Sequence, residues 1–337
     1  MRTAPSHSSR SSVERTQLEL FRSVPGDLAP RDAQDLMAWP FFSLAKTRRV
    51  TPIDFRMGGT WISVEAVPEH GMATIWDADV LIWAASQLIE ARDAGRLTSR
   101  LMVTTPHEIL AFTRRGTGKA SYERLKAALD RLQSTTVATS IRQQHQRRRH
   151  RFSWINEWRE LADGKGRALG IELILPDWFY AGVLDRALVL TIDRSYFDLT
   201  GGLERWLYRI VRKHGGRQEG GWSFDVPHLH VKSGVLSPLR RFAFELRAIV
   251  ARHIAEPEQR TARARGQGYR GQHRRDGDGY PGWRADEQSH IVANAPIGPG
   301  RWNSLSARGE CDQQRKRSGA GDNEHRQHDA APLVACA

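Results

Sequence analysis

The chain of 337 residues is 39% hydrophobic and 26% charged, enough apolar material for one large or two small globular domains. Mean hydropathy is −0.55 and no apolar run reaches bilayer length, which excludes a transmembrane helix, and the two cysteines, Cys311 and Cys336, exclude a disulfide framework or a Cys-rich zinc site before them, fitting a reducing, cytoplasmic setting. Lys and Arg number 51 against 38 Asp and Glu; residues 256–337 hold 13 and 11 of these, so residues 1–255 keep a net of +11, which favours a polyanionic partner, nucleic acid or an anionic membrane surface.

Residues 1–39 are polar, with Ser and Pro clusters and no secretory core, and read as a mobile arm. Asp77 is placed to cap a helix carrying Leu81, Ala84, Ala85, Leu88 and Ile89, which ends near Gly95. A short strand, LMVTT, follows at 101–105. Pro106-His107 then opens a short helix, Gly116 and Gly118 break it, and Ser121 stands at the N-cap of a longer helix with the stripe Tyr122, Leu125, Leu129, Leu132. Strand patterns come next at 135–142, 151–161 and 170–176. Between the first two lies an Arg-rich turn with Arg147, Arg148 and Arg149, expected at the tip of a wing.

The same order then repeats. A helix over 202–214 turns Leu203, Trp206, Leu207, Ile210 and Val211 inward and stops at Gly215-Gly216; GWSFDV is the strand and Pro227-His228 opens the short helix. Ser237 is the expected N-cap of a long helix with the stripe Leu239, Phe242, Leu246, Ile249. The two copies align with an offset of 121, then 117, and both stripes step by 3, 4, 3. Helix, strand, short helix, turn and long helix is the order of a winged helix-turn-helix. The expected fold is therefore α+β, tandem winged-helix domains over 40–175 and 176–255. Residues 256–337 have only six Leu, Ile or Val and read as a low-complexity, disordered tail; a shifted reading frame of GC-rich DNA would give the same composition. No second wing is visible there.

Phosphate contacts need Lys, Arg and helix N-termini, and base readout needs side chains projecting from a helix in the major groove. Opposite the second stripe lie Arg240, Arg241, Phe244, Ala248 and Arg252, with Arg247 on the flank; opposite the first lie Arg124, Ala127 and Arg131, with Glu123 nearby. Lys119, Lys232 and Ser233 stand in the turns expected to approach the backbone. The DNA-contacting set is thus Lys119, Ser121, Arg124, Arg131, Arg147, Arg148, Arg149, Lys232, Ser233, Ser237, Arg240, Arg241, Arg247 and Arg252. The second long helix, being more basic, is expected to dominate recognition. Of seven tryptophans (Trp61, Trp76, Trp83, Trp154, Trp158, Trp178, Trp206) most sit in apolar strands or helices, which reads as core packing rather than stacking platforms.

No catalytic centre, metal or cofactor is expected. His228-Leu229-His230 has the His pairing of rolling-circle nickases, but the later tyrosines, Tyr269 and Tyr280, lie in the tail; two histidines on a short helix explain it better. GTGK at 116–119 lacks a phosphate loop's first Gly, with Thr113 there, and has Ala120 in place of the Ser or Thr that would bind magnesium. A membrane-surface role lacks an amphipathic anchor helix.

Several long blocks in order, at 41–55, 71–88, 115–132 (RGTGKASYERLKAALDRL), 175–183, 191–216 and 229–242 (LHVKSGVLSPLRRF), make the chain resemble the replication initiator protein A family of proteobacterial plasmids over about residues 40–255. That resemblance implies binding of repeated double-stranded origin sequences, recruitment of host replication proteins, self-association through the first unit and no catalytic centre. A winged-helix transcriptional repressor is the alternative, since both would bind DNA by sequence.

Overall fold

The computed structural model describes residues 18–142, 150–215, 222–266, 290–294 and 304–308. From Leu20 onward it corrects the expectation of a mobile N-terminal arm. Strand β1 (Leu20–Arg22) runs parallel to β5 (Leu101–Thr104), β2 (Arg31–Ala33) pairs antiparallel with β10 (Val189–Thr191), and helix α1 (Gln34–Ala38) buries Leu36, Met37 and Ala38. Helix α2 (Ala78–Asp93) stitches the segment down: the Gln87 side-chain oxygen accepts from the Val24 amide at 2.6 Å, and Ser86 Oγ from the Arg31 amide at 2.8 Å. Strands of three residues are too short to show a period, and their anchors are distant in the chain.

The repeated order is present twice. The first copy is α2, β5, α3 (Pro106–Phe112) and α4 (Lys119–Ser134); the second is α6 (Gly202–His214), β11 (Trp222–Asp225), α7 (Val226–Ser233) and α8 (Leu239–Gly266). Helix α5 (Asp177–Leu184) lies between them. Helix α2 is buried on almost every side, with Trp83, Ala84 and Leu88 fully enclosed. Asp77 does not cap it as expected; its carboxylate turns back to accept from the amide and hydroxyl of Thr74 at 2.8 and 3.0 Å. A capping box starts α3, with Thr105 Oγ1 accepting from the Glu108 amide and Glu108 accepting from the Thr105 amide.

Two four-stranded sheets flank the first copy. One has the order β3 (Ile53–Met57), β4 (Thr60–Glu65), β6 (Thr136–Thr139), β7 (Arg151–Ser153); Gly58 and Gly59, at φ +55° and +80°, make its first tight turn. The other has the order β1, β5, β9 (Ala168–Ile174), β8 (Glu157–Ala162). The strand expected over 151–161 is thus two strands in two sheets. Trp154 and Ile155, adjacent and both fully buried, break the alternation that one strand would need. The wing expectation changes with it. Residues 143–149, with Arg147, Arg148 and Arg149, lie outside the described residues and connect β6 to β7, whereas the hairpin that pairs back onto β5 is β8–β9.

The tail expectation is corrected in two places. Helix α8 continues to Gly266, and two strands, β12 (His290–Asn294) and β13 (Ser304–Arg308), form an antiparallel hairpin whose first strand pairs with β11. Five-residue strands within a Gly- and Arg-rich stretch leave little compositional trace, because backbone pairing on β11 needs no apolar run. The rest of 267–337 lies outside the described residues.

One hydrophobic cluster runs through both copies, joining Phe41, Trp83 and Trp154 to Trp206, Leu229 and Phe242. Buried ion pairs cross it. Asp79 of α2 accepts from Arg205 of α6 at 2.8 Å and from Arg115 at 2.8 Å; Asp32 pairs with Arg209 at 2.9 Å. Burial outweighs the neighbouring Arg209 guanidinium and pushes the Asp32 carboxyl up to about 6. The architecture is mixed α and β.

Candidate nucleic-acid interface

The turn between α7 and α8 sets the direction of the long helix. Gly234 ends α7 in the left-handed region at φ +63°, with Pro40 packed so closely that an added Cβ would lie 2.9 Å from its Cβ. Arg49 Nη1 donates to the Gly234 carbonyl at 2.5 Å, and His230 Nε2 meets the Ser237 carbonyl at 2.7 Å. Helix α8 begins at Leu239, so Ser237 is not its N-cap as expected; its backbone, rather than its hydroxyl, is the group used.

Helix α8 buries Phe242, Leu246, Ile249 and Val250, while Arg240, Arg241, Phe244, Arg247, Ala248 and Arg252 are exposed, as the wheel predicts. Leu239, counted in the stripe, is instead 41% exposed at the helix start. Arg241 Nε pairs with Glu245 at 2.8 Å one turn on, and Arg252 Nε lies 3.4 Å from the Ala248 carbonyl; Arg240 and Arg247 form no ion pair among the described residues.

Lys232 and Ser233 do not stand in an exposed turn. Both are buried, and Lys232 places Nζ 4.1 Å from the centre of the Trp39 ring. Burial, reinforced by the Lys213 charge, pushes its ammonium down to about 8. Ser233 Oγ donates to the His230 carbonyl at 2.7 Å.

On α4 the correction is larger. Gly118 is the N-cap, so Ser121 sits inside the first turn, its amide donating to the Gly118 carbonyl at 2.8 Å. Arg131 is taken by Asp77 in a bidentate pair at 2.7 and 2.8 Å, with the carboxylate 3% exposed. That leaves Lys119 and Arg124 outward and without an ion pair among the described residues, beside Glu123. Lys126 is held by Glu160 of β8 at 2.8 Å. A cleft of about 550 Å³ separates α4 from the β8–β9 hairpin and is lined by His107, Lys119, Tyr122, Lys126 and Leu169.

The β8–β9 turn adds two cations that the sequence reading passed over. The Asp163 carboxylate accepts from the amides of Lys165 and Arg167, both at 2.9 Å, and from Arg167 Nε at 2.7 Å. The Asp-Gly-Lys-Gly run at 163–166, a turn sequence between two strand patterns, is the signal for them.

The histidine pair is used in packing. His228 stacks on Phe224 with 6.0 Å between ring centres, and His230 meets the edge of Phe242 at 5.2 Å. Trp83, Trp154, Trp178 and Trp206 are buried in the core, as expected. Among the described residues no cluster of three or more His, Cys, Asp or Glu could hold a metal ion, and no helix is long and apolar enough to cross a membrane.

Comparison with known proteins gives three findings. The family described as replication initiator protein A matches residues 31–258. A curated protein of Wigglesworthia glossinidia brevipalpis, named for replication, is 30% identical over 221 residues, covering 64% of this chain and 79% of that protein. Two solved structures of domains 2 and 3 of RctB are also similar. One has a TM-score of 0.49 at 13% identity, over 65% of this chain and 85% of that one; the other has 0.46 at 14%, over 65% and 83%.

Proposed function

The chain belongs to the replication initiator protein A family, and we propose that it initiates replication by holding repeated double-stranded origin DNA of a plasmid with two winged helix-turn-helix units and delivering it to host replication proteins. In this reading β8–β9 is the wing of the first unit and β12–β13 that of the second, and α4 and α8 are the helices presented to DNA. The observation that carries the proposal is the outward face of α8. Over residues 239–252 four arginines stand there against one carboxylate, Glu245, opposite a buried stripe that fixes the helix rotation.

Such a face acts in two ways. Guanidiniums near phosphates release condensed counterions, which makes affinity fall with salt, and those reaching guanine edges read sequence. The chemistry is binding without bond cleavage: His228 and His230, the pair that a nickase would use, pack against Phe224 and Phe242. The protein works in the cytoplasm, with self-association through the first unit. Titration of the full-length chain against a duplex carrying origin repeats, from low to high salt, tests the proposal. Expected are tight binding to the repeat over random duplex and a log–log slope of several units; equal affinity for both duplexes, or a flat salt dependence, overturns it.

A further inference from the structure

Phe244 is 71% exposed. A single exposed aromatic is ordinary on a protein surface, but this one occupies a particular place. At 100° per residue it points away from Phe242, Leu246 and Ile249, at the centre of the outward face of α8. Arg240 and Arg247 lie on one side of it and Arg241 and Arg252 on the other, while the exposed Ala248 and Ala251, one and two turns on, leave room for the helix to approach a surface closely.

A phenyl ring set among four guanidiniums needs a partner that is anionic at its edges and locally apolar at its middle. The DNA major groove has that pattern. Phosphates line its rim, guanine N7 and O6 accept from arginine, and the thymine C5-methyl is its apolar feature. An acidic protein surface would match the charge but would also have to supply an apolar pocket at the same spacing.

We propose that Phe244 reads a thymine: its ring packs on the C5-methyl in the major groove, between positions contacted by the flanking arginines, and imposes thymine at that position of the bound sequence. This rests on α8 being the DNA-reading helix, as inferred above.

The experiment uses full-length protein and a library of randomised duplexes. The sequence selected by the wild type is remade with each thymine singly replaced by deoxyuridine, which lacks only the methyl. One replacement is expected to weaken wild-type binding about fourfold, the weight of one buried methyl. Phe244→Ala should bind the unmodified duplex correspondingly less well, show no further loss at that deoxyuridine and bind random duplex unchanged; Phe244→Leu should keep part of the discrimination. Indifference of the wild type to every deoxyuridine, or a penalty undiminished in Phe244→Ala, overturns the proposal. So does loss of self-association with DNA binding intact, which would make Phe244 a protein contact. The underlying reading fails separately: if Arg240→Ala and Arg247→Ala retain the selected sequence, α8 is not the reading helix and both fall. If they lose it while Phe244→Ala still selects thymine, only the role of Phe244 falls.

Discussion

Over residues 239–252 of α8 the outward arginines face one carboxylate, Glu245, whereas around α4 several cations are held: Arg131 by Asp77, Lys126 by Glu160, and Arg167 of the neighbouring hairpin by Asp163. The two units share an element order and a stripe spacing, yet α8 keeps Arg240 and Arg247 without an ion pair among the described residues, while on α4 Arg131 and Lys126 are held by carboxylates and only Lys119 and Arg124 are not. An ion pair with a buried partner is not available to a phosphate, because leaving Asp77 unpaired would cost more than a surface contact returns. The same residue type on the same face of two similar helices is therefore held in one place and, among the described residues, free in the other. The difference lies in whether a carboxylate from elsewhere in the fold reaches it.

The largest effect is expected where the two copies are joined. Asp79→Ala strips a buried carboxylate from both Arg205 and Arg115 and should lower stability by about 3–5 kcal/mol in urea unfolding. Because the copies share a core, one cooperative transition should shift; two separate transitions, with only one affected, would break the view of a single body.

Next comes the contrast between helices. Arg131→Ala should cost about 1–3 kcal/mol of stability and leave DNA preference intact, whereas Arg240→Ala or Arg247→Ala should leave stability within about 0.5 kcal/mol and lose about 1–3 kcal/mol of discrimination for the repeat. Paired urea melts and duplex titrations decide. The reverse pattern, with Arg131→Ala abolishing preference in a stable protein, means that the helices have been assigned the wrong way round.

A pH series sharpens the account of Lys232. Its ammonium is depressed to about 8 in the folded chain, against about 10.4 unfolded, so between these values the unfolded state binds more protons and stability should rise with pH. The gain should be on the order of 1–3 kcal/mol from pH 8 to pH 10 in thermal or urea melts. Lys232→Met should be more stable than wild type at pH 7 and lack that rise; an unchanged profile would show that another group is responsible. The smallest expected effect is at Arg124, where alanine should weaken repeat and random duplex alike and reduce the salt slope by about one unit.

Much of this was legible in the residues. The stripes Leu125, Leu129, Leu132 and Phe242, Leu246, Ile249 are buried as their spacing requires, and the outward arginines of α8 follow from the same period. The failures share one cause. Lys232 reads as a turn lysine until Trp39, far away in the chain, covers it; Ser121 and Ser237 read as caps until the helices start elsewhere; Arg131 reads as an outward cation until Asp77 reaches it across 54 positions. The tail expectation fails at β12 and β13 because composition measures apolar burial and says little of a short hairpin held by backbone pairing.

By itself, the sequence determined the repeated order of helices and strands, the inward and outward faces of the long helices, and the excess of positive charge. These depend on neighbours three and four residues apart and on Pro and Gly punctuation, which any local reading contains. Tertiary structure alone decided which hairpin returns to β5, where α1 and β2 dock, and which cations are left without a carboxylate partner. Strand pairing and buried ion pairs join residues 50 to 200 positions apart, and their energies depend on geometry that no short window of sequence holds.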